Sequence, residues 1–130
     1  MIETIQVAVG VVVNSAGEFL VAQRPEGKPF AGCWEFPGGK VEQGESILEA
    51  LIRELEEEIN LTPTRFEPFM MIEQIVSNKC FLLDTWLVSA YSGTPNANEG
   101  QVLKWVSLTE LKNLTFPPAN HQIIEKLCVI

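Results

Sequence analysis

Gly38-Gly39-Lys40-Val41-Glu42-Gln43-Gly44-Glu45 leads without a break into Ser46-Ile47-Leu48-Glu49-Ala50-Leu51-Ile52-Arg53-Glu54-Leu55-Glu56-Glu57-Glu58-Ile59-Asn60-Leu61. The first half is a loop whose glycines let backbone groups approach a ligand. In the second half Ile47, Leu48, Leu51, Ile52, Leu55 and Ile59 recur at helical spacing, which predicts one amphipathic helix from Ser46 to Ile59, about four turns long. Ser46 and Glu49 form an S-x-x-E capping box at its start. Asn60 tolerates the left-handed conformation and is suited to end it.

The flanking segments read as strands. Ile5 to Val13 is rich in β-branched residues, Asn14-Ser15-Ala16-Gly17 is a turn-forming cluster, and Phe19 to Ala22 is apolar again, so a β-hairpin is expected. Arg24 to Gly32, with Pro25, Gly27, Pro29 and Gly32, predicts an exposed loop. Trp34-Glu35-Phe36 resumes an extended course up to Pro37, and Gly38-Gly39 is expected to interrupt it. After the helix, Phe66 to Ile75 and Cys80 to Tyr91 predict two longer strands. Ser92 to Gly100 is a polar loop, Val102 to Val106 a short strand, Leu108 to Leu114 a short helix and Asn120 to Leu127 a last helix. The expectation is one α/β domain over residues 1–130 with a sheet of mixed direction.

The helix carries Glu49, Glu54, Glu56, Glu57 and Glu58, with Arg53 as its only basic residue. At roughly 100° per residue, Glu54, Glu57 and Glu58 fall within about a third of the circumference, beside the apolar stripe. Like charges at these spacings cost a few tenths of a kcal/mol per pair, roughly, so the grouping asks for a cation. Singly, each glutamate is more often a solubilising surface residue. Oxygen ligands without a nearby imidazole suit a hard ion, and magnesium takes one or two carboxylates together with substrate phosphates. His121, the only histidine, cannot build an imidazole site alone.

The chain has 130 residues, 46% of them apolar, enough for a real core. Its net charge of −8 argues against a nucleic-acid polymer as partner, which would need clustered Lys and Arg. A polyphosphate substrate would be repelled as well unless divalent cations stood between it and the carboxylates. Met1 to Gln6 has no basic cluster, and the apolar run Val7 to Val13 is too short to cross a bilayer. Cys33, Cys80 and Cys128 are odd in number and widely spaced, which suits a reducing compartment. A cytoplasmic monomer with no membrane partner is expected.

Gly39, Glu45, Arg53, Glu54, Leu55, Glu57, Glu58 and Leu61 match the Nudix signature G-x5-E-x7-R-E-U-x-E-E-x-G-U, with Asn60 in place of its glycine. The chain therefore resembles the Nudix hydrolases. Ala8-Val9-Gly10, Glu35-Phe36-Pro37-Gly38-Gly39-Lys40 and Phe116-Pro117-Pro118-Ala119-Asn120 extend the resemblance to the MutT branch, the 8-oxo-dGTP diphosphatases. The resemblance implies an α/β/α sandwich around a mixed sheet, and magnesium-dependent hydrolysis of an oxidised nucleoside triphosphate to the monophosphate and pyrophosphate, with manganese able to substitute.

By the same resemblance Glu54, Glu57, Glu58 and the Gly38 carbonyl hold the divalent ions, Glu45 supports the cluster and Arg53 orients it. Glu99, in the Ser92 to Gly100 loop, is a candidate ligand or general base alongside Glu54; a solvated loop carboxylate is the alternative. Asn120 offers an amide that can donate and accept at a purine's oxo edge, or it serves as the N-cap of the last helix. Arg24, Glu35, Phe36, Pro37 and Gly38 complete the expected substrate-binding set, while Trp34 and Phe81 are expected to be ordinary core or sheet residues. Alternatives are a Nudix hydrolase of another nucleoside diphosphate derivative and a nucleotide-sensing module without turnover.

Overall fold

The computed structural model describes residues 2–28 and 30–129. In chain order the elements are β1 (Glu3–Val12), β2 (Phe19–Gln23), β3 (Trp34–Glu35), β4 (Gly38–Lys40), α1 (Ile47–Ile59), β5 (Thr62–Val76), β6 (Lys79–Ser92), β7 (Leu103–Val106), α2 (Leu108–Asn113) and α3 (His121–Leu127). Among the described residues, no helix is long and apolar enough to cross a membrane. Pro29, one of the prolines behind the expected loop, lies outside the described residues; its neighbours from Pro25 to Gly32 are exposed.

β1 organises the molecule. It pairs parallel with β6 on one edge and antiparallel with β4 on the other, and β5 adds antiparallel to β6, giving the mixed order β4-β1-β6-β5. A second, antiparallel sheet has the order β3-β2-β7. The expected hairpin therefore forms only as a turn. The Asn14 carboxamide oxygen accepts from the N–H groups of Ala16 (3.0 Å) and Glu18 (2.8 Å), but β1 and β2 share a single bridge, Val13 to Phe19. Both edges of β1 are already occupied, so β2 must find its partners in the other sheet. Gly38-Gly39 likewise does not end the extended course but forms β4 against Val7 to Val9.

Alternation along β1 divides the core in two. Ala8 and Val12 face Leu51, Leu55 and Ile59 of α1 together with Leu20, Leu61 and Val88. Val9 and Val11 face the opposite way, toward Ile72, Val106, Leu111, Phe116 and Ile123. Helices thus cover both sides, α1 on one and α2 with α3 on the other. Full burial of Leu51, Leu55 and Ile59 stabilises this seat by roughly 1.5–3 kcal/mol each. The capping box at Ser46 and the left-handed Asn60 (φ 63°, ψ 31°) form as the sequence predicts. The seat fixes the rotation of α1, and with it the direction of every glutamate on the helix.

Candidate active site

A cavity of about 500 Å3 opens between β1, β4, α1 and the loops after β2 and β6. Arg24, Glu35, Phe36, Gly38, Glu54, Glu58, Glu99 and Asn120 all line it. Eight site residues scattered over nearly a hundred positions are thereby brought to one wall. Pro37, Glu45, Arg53 and Glu57 are not part of that lining. Pro37 is buried, and its carbonyl accepts from the Gly10 N–H at 2.8 Å, tying the β3–β4 junction to β1. Glu57 lies on the outer flank with its side chain 59% exposed.

Arg53 organises the carboxylates from behind. Its Nε and Nη2 donate to the two oxygens of Glu45 at 2.7 and 3.0 Å, Nη2 also donates to the Lys40 carbonyl at 3.0 Å, and Nη1 donates to Glu54 Oε1 at 2.8 Å and Glu57 Oε2 at 3.3 Å. The fork geometry of guanidinium makes this shared pairing possible where an ammonium would not. The hydrogen bond from Arg53, aided by the one from the Glu42 N–H, lowers the Glu45 carboxyl to about 2. A depressed carboxylate stabilises the fold in full above its ordinary value near 4.5 and loses that contribution as pH falls toward 2. Glu45→Gln is therefore expected to melt below wild type at pH 7, and the two melting temperatures should converge near pH 2 in acid titrations followed by circular dichroism.

Glu58 is the most confined acid, 7% exposed, and its Oε2 accepts from the Gly38 N–H at 3.1 Å. Burial pushes its carboxyl up to about 8; the Gly38 hydrogen bond opposes this, and the charges of Glu35, Glu99 and Glu54 add to it. Three neighbouring carboxylates thus act on the one that Gly38 holds. Among the described residues no three acidic, histidine or cysteine side chains close into a ready-made ion cage. Oxygen-only donors on α1, the β4 backbone and the facing loop fit a hard divalent ion that takes its remaining ligands from phosphate and water.

Phe36, which stacks on Phe116 in the core with ring centroids 5.5 Å apart, joins Val7, Val9, Leu83, Pro117 and Ile123 as the apolar part of the cavity lining. Arg24 and Glu35 form an ion pair at 2.6 Å beside it. Asn120 does not cap α3. Residues Pro118–Asn120 form a 3-10 turn that runs directly into the helix, Asn120 is itself helical (φ −72°, ψ −18°), and its side chain makes no capping hydrogen bond. The carboxamide faces the cavity instead. Phe81 is a sheet residue of β6, as expected, and also lines the cavity, while Trp34, in β3, packs against the core.

The sequence profile of the NUDIX domain matches residues 4–127. The chain belongs to the NUDIX family. It is 40% identical over 123 residues to the 8-oxo-dGTP diphosphatase of Escherichia coli K12, covering 95% of each. It is also 38% identical over 117 residues to the CTP pyrophosphohydrolase of the same organism, covering 90% of this chain and 87% of the relative. A solved MutT structure from work on Aliivibrio salmonicida and Vibrio cholerae superposes with a TM-score of 0.85 at 40% identity, covering 95% of this chain and 96% of the other. The mixed sheet and helices are those of a Nudix fold.

Within this Nudix site, sequence reasoning missed most of the wall. Val7, Val9, Phe81 and Leu83 carry no chemical signal of their own, yet period-2 alternation on β1 and β6 would have put them on one face. Gln74, Val76 and Gln101 line the cavity too. Their placement depends on long-range pairing of β5 with β6 and on a loop docked against α1, which no local pattern announces.

Proposed function

We propose that this Nudix chain is a magnesium-dependent nucleoside triphosphate pyrophosphohydrolase that converts 8-oxo-dGTP and water to 8-oxo-dGMP and pyrophosphate. It would act as a single-domain cytoplasmic monomer that removes an oxidised precursor before DNA synthesis can use it. The observation that carries this reading is one cavity whose lining combines the carboxylates of Glu35, Glu54, Glu58 and Glu99 with apolar side chains, Phe36 among them, and with Asn120. That combination matches a substrate with a polyanionic tail and a flat, oxo-bearing base.

Glu54, Glu57, Glu58, Glu99 and the Gly38 carbonyl are the proposed ligands, with manganese able to replace magnesium. The bound ions would neutralise the polyphosphate and lower the pKa of an attacking water. Glu54 or Glu99 accepts the proton of that water. Arg53 and Glu45 hold the ligands at the right rotation. Phe36 supplies a stacking face, Arg24 and Glu35 shape the mouth of the cavity, and Pro37 ties the β3–β4 junction to β1. Asn120 reads the oxo group and adjacent N–H, since one carboxamide both donates and accepts.

Steady-state kinetics with magnesium on 8-oxo-dGTP, dGTP and CTP test the assignment. A kcat/KM preference of at least about a hundredfold for 8-oxo-dGTP over dGTP is expected, because hydrogen-bond reading in a cavity discriminates strongly. Asn120→Ala should lose most of that ratio and retain metal-dependent hydrolysis; equal selectivity in the two proteins would overturn the role of Asn120. A second reading rests on the CTP pyrophosphohydrolase relative, 38% identical. CTP outperforming both purines would favour it.

A further inference from the structure

The C-terminal turn of α1 has no basic residue to meet its free carbonyls, and a helix end leaves such groups in need of donors. The loop between β6 and β7 supplies them. Asn96 N–H donates to the Ile59 carbonyl at 3.0 Å, and Asn98 N–H to the Glu58 carbonyl at 3.2 Å. The Asn98 side chain goes further, its Nδ2 donating to the Glu57 carbonyl at 3.1 Å and to the Glu56 carbonyl at 3.3 Å, the latter also accepting from the Asn60 N–H at 3.1 Å. The Asn96 Nδ2 donates to the Asn98 Oδ1 at 2.8 Å, which turns the Asn98 amide so that its nitrogen faces the helix.

Glu99 follows directly. Its N–H donates to the Gln101 Oε1 at 3.2 Å, and the Gln101 Nε2 donates to the Glu58 carbonyl at 3.4 Å. Glu99 is thus flanked on both sides by residues fastened to the turn of α1 that carries Glu57 and Glu58. An exposed loop with no secondary structure would otherwise cost ordering entropy each time its carboxylate met the cavity.

We propose that Asn98 is a positioning residue: by capping the carbonyls of Glu56 and Glu57 it docks the β6–β7 loop on α1 and holds Glu99 against the acidic wall. This rests on the reading of Glu99 as ligand or base. Asn98 stands outside the cavity lining that includes Glu99, so it acts through Glu99.

The test is a double-mutant cycle on the full chain with Asn98→Ala, Glu99→Gln and the combination, measured at saturating magnesium. Asn98→Ala is expected to lower kcat by about 10–100-fold, as loss of an outer-shell partner does, with KM for nucleotide within about twofold of wild type. In the Glu99→Gln background the same change should cost almost nothing further, because the residue it positions is already disabled. Asn98→Gln, which keeps a donor of greater reach, should recover part of kcat and serves as the second variant if the alanine form folds poorly. Additive losses in the cycle, or Asn98→Ala with kcat within about twofold of wild type, would overturn the proposal. Glu99→Gln turning over normally would instead remove the role of Glu99, and the proposal with it.

Discussion

Glu58→Gln is expected to lower kcat about a thousandfold at saturating magnesium and, in the same protein, to raise the melting temperature in metal-free buffer at pH 9. The two signs have one cause. Glu58 is held almost out of water by the helix seat, with a single backbone donor, Gly38 N–H, for its charge. A folded value of about 8 against an ordinary 4.5 means that the folded chain keeps this proton over a range where the unfolded chain has released it. Its stabilising contribution is therefore complete below pH 4.5 and is lost as pH rises through 8. A displacement of that size corresponds to roughly 5 kcal/mol at about 1.4 kcal/mol per unit. Glutamine retains an oxygen for the Gly38 N–H and carries no charge, so it should recover a large part of this at high pH and little at pH 4. A cation reverses the balance by stabilising the charged form, so magnesium affinity of the wild type should improve between pH 6 and 8 and level off above. Calorimetric melts of both proteins across this pH range, without and with magnesium, check the stability half. Equal melting temperatures at pH 9 would mean that the Glu58 charge is not costly to bury.

The neighbouring glycines are expected to fail in different ways. A Cβ on Gly38 would stand 2.1 Å from the Ala8 carbonyl oxygen and 2.9 Å from the Val9 Cα, both backbone atoms of the central strand that cannot step aside. Gly38→Ala must therefore lift β4 off β1, breaking the Val9 to Gly38 pairing and withdrawing the N–H that Glu58 uses. The expected loss is about 3 kcal/mol or more of stability, together with at least about a hundredfold of turnover. A Cβ on Gly39 would instead stand 2.3 Å from the Glu54 carboxyl carbon. That carboxylate ends a flexible side chain and can swing away. Gly39→Ala should keep nearly wild-type stability and still lose turnover, because the acid it displaces is a proposed ligand. Denaturant melts paired with kcat distinguish the two; parallel losses of stability at both positions would contradict the reading that only Gly38 is needed for the β1–β4 pairing.

The sequence was most legible where local chemistry repeats. The apolar stripe, capping box and left-handed stop of α1 follow from side-chain spacing alone, and so does the density of acids that makes the helix unusual. The mixed sheet direction was also readable, because β6 reads as a strand covered on both faces. The partner of β2 was not, since a turn sequence specifies a reversal of the chain and says nothing about whether the edge of β1 is free. Asn120 shows the same limit: a helix start beginning with asparagine suggests a cap, but a 3-10 turn begins two residues earlier, at Pro118, and leaves the carboxamide without a capping hydrogen bond. Glu99 could be named as a candidate, yet what fixes its loop is a set of carbonyls on a helix some forty residues away. The distance along the chain, and not any ambiguity in the residues, hid that attachment.

The split of β1 between two cores also separates the cavity from the seat of the helix. Val7 and Val9 line the cavity in which the base is proposed to sit, while Ala8 and Val12, on the reverse of the same ribbon, seat the helix that bears the acids. Exchanging side chains at the odd positions reshapes the cavity and leaves the register of α1 untouched. A new base preference is therefore reachable by a few conservative steps on one face, with the hydrolytic apparatus carried along unchanged.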